Sequence, residues 1–83
     1  MARLPQVSGR RLITFLERLG YVTTRRKGSH VRLKKVTGSG EHGLTVRDHR
    51  VVAKGTLNDI LASVSVWNGI AKDDLIDRLS GRQ

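Results

Sequence analysis

The chain has 83 residues, a net charge of +9 and no cysteine. That bounds it to one small domain (1–83) and excludes a disulfide framework or a thiolate zinc site. The charge is lopsided: residues 1–35 hold ten Lys or Arg against Glu17 alone, while residues 36–83 balance to zero. So focused a field favours a polyanionic partner, most simply nucleic acid.

Met1–Pro5 lacks the apolar stretch of a signal peptide and no apolar run could span a bilayer, so a soluble cytoplasmic protein is expected, with no membrane partner. Ser8 is placed to cap a helix over about 8–19, in which Leu12, Phe15, Leu16 and Leu19 form one apolar stripe. Arg10, Arg11 and Arg18 fall mostly off that stripe, and Gly20 ends the helix. Tyr21–Lys27 is rich in β-branched residues and predicts a strand. Gly28-Ser29 turns the chain into a second strand at about 30–35. Side chains alternate along a strand, so Val31 and Leu33 share one face and His30, Arg32 and Lys34 the other. The same alternation forbids Arg25, Arg26 and Lys27 from all sharing a face. Thr37–Gly43 reads as a flexible polar connection in which His42 is solvated, and Leu44–Arg47 as a third short strand. Hairpin connections make the sheet antiparallel.

Thr56-Leu57-Asn58-Asp59 resembles a capping box, opening a helix with Leu57, Ile60, Leu61 and Val64 on its apolar face. Gly55 before it is read as permitting a special backbone angle or a close approach. Trp67 is expected to plug the following joint. Asp73–Leu79 predicts a last acidic helix with Leu75, Ile76 and Leu79 turned inward. The fold expected is α+β: a helix, a three-stranded antiparallel sheet, a helix and a short C-terminal helix.

His30, His42 and His49 show no zinc-ligand spacing, no P-loop is present, and the sparse carboxylates argue against a two-metal nuclease. What remains is acid–base chemistry without metal or other cofactor. The 2′-hydroxyl of RNA can attack the adjacent phosphate when a group near neutral pKa moves its proton. Cations then stabilise the crowded phosphorus centre. His30 is the candidate catalytic group. Arg25, Lys27, Gly28, Ser29, Arg32 and Lys34 are the candidate RNA-binding residues. Ser29 shapes the turn or orients His30, and His49 is read as structural, capping or bridging the strand–helix joint, with a role in the site as the alternative.

Three features occur in a telling order: the helix ending Leu19-Gly20-Tyr21, the Lys27-Gly28-Ser29-His30 turn, and the helix start Gly55-Thr56-Leu57 with Ile60-Leu61. In these the chain resembles the HicA family of toxins from bacterial and archaeal toxin–antitoxin systems, small mRNA-cleaving endoribonucleases. The resemblance covers roughly residues 7–64 and leaves 65–83 as a C-terminal extension. It implies a fold like a double-stranded-RNA-binding domain, with helices on one face of the sheet, and a catalytic role for His30. It also implies a HicB-like antitoxin partner that covers the active face. Tyr21, if partly exposed, would anchor that contact. In place of the Pro-x-His that often precedes the family's last helix stands Arg47-Asp48-His49. The alternative is a non-catalytic RNA-binding domain of the same architecture. Such binders cluster lysines at the start of the last helix, where this chain has only Lys54.

Overall fold

The computed structural model describes residues 3–81. Helix α1 (Gly9–Arg18) is followed by strands β1 (Val22–Lys27), β2 (His30–Thr37) and β3 (Gly40–Arg47), then helices α2 (Lys54–Asn68) and α3 (Lys72–Leu79). The strands form one antiparallel sheet in the order β1-β2-β3. This is the α+β arrangement anticipated, with a three-stranded sheet open on one face. Among the described residues no helix is long and apolar enough to cross a membrane.

Ser8 caps α1, its hydroxyl accepting the Arg11 N–H at 3.0 Å. Gly20 follows the helix at φ +105, a conformation that few residues other than glycine adopt. Leu12, Ile13 and Leu16 are buried, so Ile13 takes a core place while Phe15 and Leu19 are only partly covered. Val31, Leu33 and Val46 of the sheet, Leu57, Leu61 and Val64 of α2, and Leu75, Ile76 and Leu79 of α3 complete one continuous core. The predicted inward triplet of α3 is therefore where expected. Arg11 reaches from α1 to the C-terminal end of α3, donating through Nε and Nη2 to the Leu79 carbonyl at 3.2 and 2.7 Å. A cation there satisfies an end carbonyl and complements the helix dipole.

Several expectations need correction. Thr37–Gly43 is not a flexible connection: β2 extends to Thr37, a tight turn follows, and β3 already begins at Gly40. The Thr37 hydroxyl closes the turn, accepting the Ser39 N–H at 3.1 Å and donating to the Gly40 carbonyl at 2.9 Å. Period-two alternation then carries His42 inward, where it is 5% exposed rather than solvated. Its Nδ1 meets the Tyr21 hydroxyl at 2.6 Å, and its Nε2 meets the Ser63 hydroxyl at 2.7 Å. Trp67 is half-buried and stacks on the imidazole, centroids 5.1 Å apart and planes 8° from parallel. Tyr21 is 2% exposed, so it has no surface to offer a partner. Helix α2 begins two residues before Thr56, at Lys54, and its N-cap Ala53 makes no side-chain cap, so the capping box does not form. Gly55 lies inside the helix with open space around it and needs no special angle.

Gly9 is the glycine that the packing does require. A Cβ there would sit 2.0 Å from the Arg47 carbonyl oxygen. The start of α1 lies directly against the chain leaving β3. The Gly9 N–H donates to the His49 carbonyl at 2.8 Å, and the Val52 N–H to the Val7 carbonyl at 2.8 Å. These two main-chain hydrogen bonds tie the link from β3 to α2 to the start of α1.

Candidate functional site

Burial alternates along β2, with Val31 and Leu33 against the helices and His30, Arg32 and Lys34 exposed. The register carries this alternation across the sheet, because residues paired directly opposite share a face. On the open face β3 contributes Glu41, Gly43, Thr45 and Arg47 opposite Val36, Lys34, Arg32 and His30. In β1 the register shifts between Thr23 and Arg25, leaving Thr24 as an extra residue. Such a bulge inverts every side chain beyond it. Arg25 consequently opposes Arg32, and Lys27 opposes His30. Arg26 points the other way, where its guanidinium pairs with Asp48 at 3.1 Å.

Lys27, His30 and Arg47 thus form one row across the three strands, with Arg25 and Arg32 in the row beside it. Among the described residues the face carries five fixed cations and one acid, Glu41, which pairs with Lys34 at 3.2 Å. Arg32 passes over Gly43 and donates to the Thr45 hydroxyl at 3.2 Å, which fixes its guanidinium on the surface. Like charges directly opposite on a sheet cost stability. The Arg25–Arg32 pair is consistent with a surface shaped to meet anions.

His30 opens β2 immediately after the Gly28-Ser29 turn, where Gly28 is left-handed at φ +59. The imidazole is exposed and lines a cleft of about 580 Å3 between the end of β3 and the start of α2. Thr45, Arg47, His49 and Thr56 supply its polar lining, while Val46, Val52 and Ile60 supply its apolar wall. The uncapped first turn of α2 borders it, with Ala53 and Thr56 in the lining. Free first-turn N–H groups carry partial positive charge. The cleft therefore brings together two imidazoles, a guanidinium and a positive helix end. That set places two ionisable rings and positive charge along the wall of one cleft.

A family model described as the HicA toxin of bacterial toxin–antitoxin systems matches residues 9–65. The chain belongs to the HicA toxin family. Toxins of the HicA family are paired with antitoxins and act on RNA. No curated protein and no solved structure shows significant similarity to the chain. The HicA match runs from the first residue of α1 into α2 and contains His30, the turn before it, and His49; α3 lies beyond it.

The structure brings the sequence-selected residues Arg25, Lys27, His30, Arg32 and Lys34 onto one face, with Gly28 and Ser29 at its rim. Sequence reasoning missed Arg47, whose place opposite His30 follows only from register. The available signal was the unbroken alternation from Glu41 to Arg47. It also missed Gly9, for which no local signal existed. Among the described residues no group of three or more His, Cys, Asp or Glu comes together.

Proposed function

We propose that this chain is the toxin component of a type II toxin–antitoxin pair and an endoribonuclease that cleaves mRNA without a metal, using His30 for proton transfer. The observation that carries the reading is the position of His30, exposed at the mouth of a cleft and bordered by Lys27 and Arg47 in one row of the sheet. In the reaction the RNA 2′-hydroxyl loses its proton and attacks the adjacent phosphorus. The bond from phosphorus to the 5′-oxygen breaks, and that oxygen takes up a proton. The products are a 2′,3′-cyclic phosphate and a 5′-hydroxyl. DNA lacks the attacking group and is not a substrate. Lys27, Arg32 and Arg47 hold the phosphates and balance the charge that grows on the phosphorane.

Incubation of the purified protein with RNA in excess EDTA tests the reading. Cleavage is expected, with cyclic-phosphate ends, and His30→Ala should lower the rate by about 10²–10⁴-fold while RNA binding persists. Activity that vanishes with chelator and returns with magnesium would remove the metal-free mechanism. Tight RNA binding with no cleavage by the wild type would favour a pure RNA-binding module.

A further inference from the structure

We infer that His49 is the second proton-transfer group, acting with His30 on the same phosphodiester; the inference rests on the RNA-cleavage reading above. A reaction that removes one proton and donates another needs two groups, or one group that does both in turn. The structure supplies a second imidazole in the same cleft. Both rings are exposed, and among the described residues neither is engaged in a side-chain hydrogen bond or ion pair of the fold. This contrasts with His42, whose two ring nitrogens are both engaged.

The two histidines are also mounted on one hydrogen-bonded frame. Ser29, just before His30, accepts the N–H of Asp48, just before His49, at 2.6 Å. His30 itself pairs in register with Arg47, two residues from His49. The His49 N–H donates to the Arg47 carbonyl at 2.9 Å, and its carbonyl accepts the Gly9 N–H at 2.8 Å. Asp48 is further tied to Arg26 of β1. The backbone at and beside His49 is thus pinned from the β1–β2 turn, β3 and α1, with the Asp48 side chain tied to β1, while the His49 ring is left free. A residue that served only to bridge the strand–helix joint would use its side chain to do so. Here the main chain makes the bridge.

The fixed charges beside the pair are Arg47 on the cleft wall and Lys27 opposite His30, and Asp48 is paired with Arg26. Arg47, in register with His30 and lining the same cleft, is the group that would hold the non-bridging phosphate oxygens. One ring takes the 2′-hydroxyl proton and the other delivers a proton to the 5′-oxygen, so atoms and charge balance without a metal. Positioned proton transfer of this kind contributes about 10²–10⁴-fold.

The test is the pH–rate profile of wild type, His30→Gln and His49→Gln under single-turnover conditions, with RNA affinity and circular dichroism measured on each. The wild type should give a bell. His49→Gln should remain folded, bind RNA as before, lose one limb of the bell and fall about 10²–10⁴-fold in rate. RNA with a 5′-bridging sulfur needs no proton on its leaving group, so it should rescue whichever variant lacks the acid. Rescue of one variant and not the other identifies the acid, and supports the pair where His49→Gln is itself impaired on unmodified RNA. If His30→Gln is inactive but His49→Gln keeps the full rate and both limbs, this inference fails while the RNA-cleavage reading stands. If the wild type does not cleave, or His30→Gln cleaves normally, the underlying reading fails first.

Discussion

Burial, with the Arg32 charge as the smaller contribution, holds the His42 imidazole below its ordinary pKa, because a cation there loses solvation without gaining a counterion. Hydrogen-bond arithmetic agrees. Asn68 Nδ2 donates to the Tyr21 hydroxyl at 2.9 Å, so that hydroxyl has its proton free for His42 Nδ1, and Nε2–H is left to donate to Ser63. Both ring nitrogens are used by the neutral form. The unfolded chain then binds a proton more readily than the native one. Stability is full above the unfolded value of about 6.5 and declines as pH falls from there toward the lower folded pKa. Thermal unfolding between about pH 7 and 5 should show this slope in the wild type and a flatter one in His42→Gln. Equal slopes would show that His42 is not the group responsible. His42→Ala, which removes the acceptor of the Tyr21 hydroxyl proton and the ring partner of Ser63, should cost about 1–3 kcal/mol by urea unfolding at neutral pH.

At the level of the element, one extra residue in β1 decides where the charge goes. Without the bulge at Thr24, Arg25 would oppose Val31 and point toward the helices, and Arg26 would take the open face. The Thr24 hydroxyl reaches back to the Arg32 carbonyl at 3.4 Å, where the ladder is interrupted. RNA affinity should therefore depend on Arg25 and Arg32 but not on Arg26, although all three are exposed arginines of the same hairpin. In a salt titration, removal of a phosphate contact should reduce the slope of log affinity against log salt by about 0.7–0.9. Arg25→Ala, Arg32→Ala and Lys34→Ala should each do so, with Lys34 weakest because Glu41 already pairs with it. Arg26→Ala, and Lys72→Ala or Arg78→Ala on α3, should leave the slope near its wild-type value. Equal effects from the two groups would show that the cationic face has no special part in binding.

Across the whole molecule, the two surfaces of the sheet have opposite fates. One is filled by α1 and α2, and α3 closes the core against them. The other presents Arg25, Lys27, His30, Arg32, Lys34 and Arg47, with Val22 and Val36 exposed at its margin. An antitoxin that blocks RNA cleavage by direct masking should sit here, and an acidic partner would be drawn to it rapidly. Since Tyr21 is buried, Val22 and Val36 are the apolar side chains this face offers such a partner. Hydrogen exchange of the complex should show protection over the β1–β2 hairpin and the end of β3. Protection confined to residues 73–79, with the His30 hairpin exchanging freely, would mean indirect inhibition.

Local chemistry was enough to place much of this protein. The stripe of α1, its Ser8 cap and Gly20 stop, the Gly28-Ser29 turn and the alternation after His30 are each written within a few neighbouring residues. Backbone geometry alone converts such patterns into elements and faces, and for that reason the open face of β2 was legible. The inward side of His42 was hidden by the glycines around it, which resemble a loop until the neighbouring strand supplies hydrogen bonds. The bulge at Thr24, the row joining Lys27 to Arg47, and the approach of Gly9 to the Arg47 carbonyl depend on residues distant in the chain. Only the tertiary structure decides them, because register and close packing are properties of a pair of segments and neither segment carries them alone. The meeting of His30 and His49 in one cleft is of this second kind: it exists because the chain leaving β3 is pinned to the turn that begins β2.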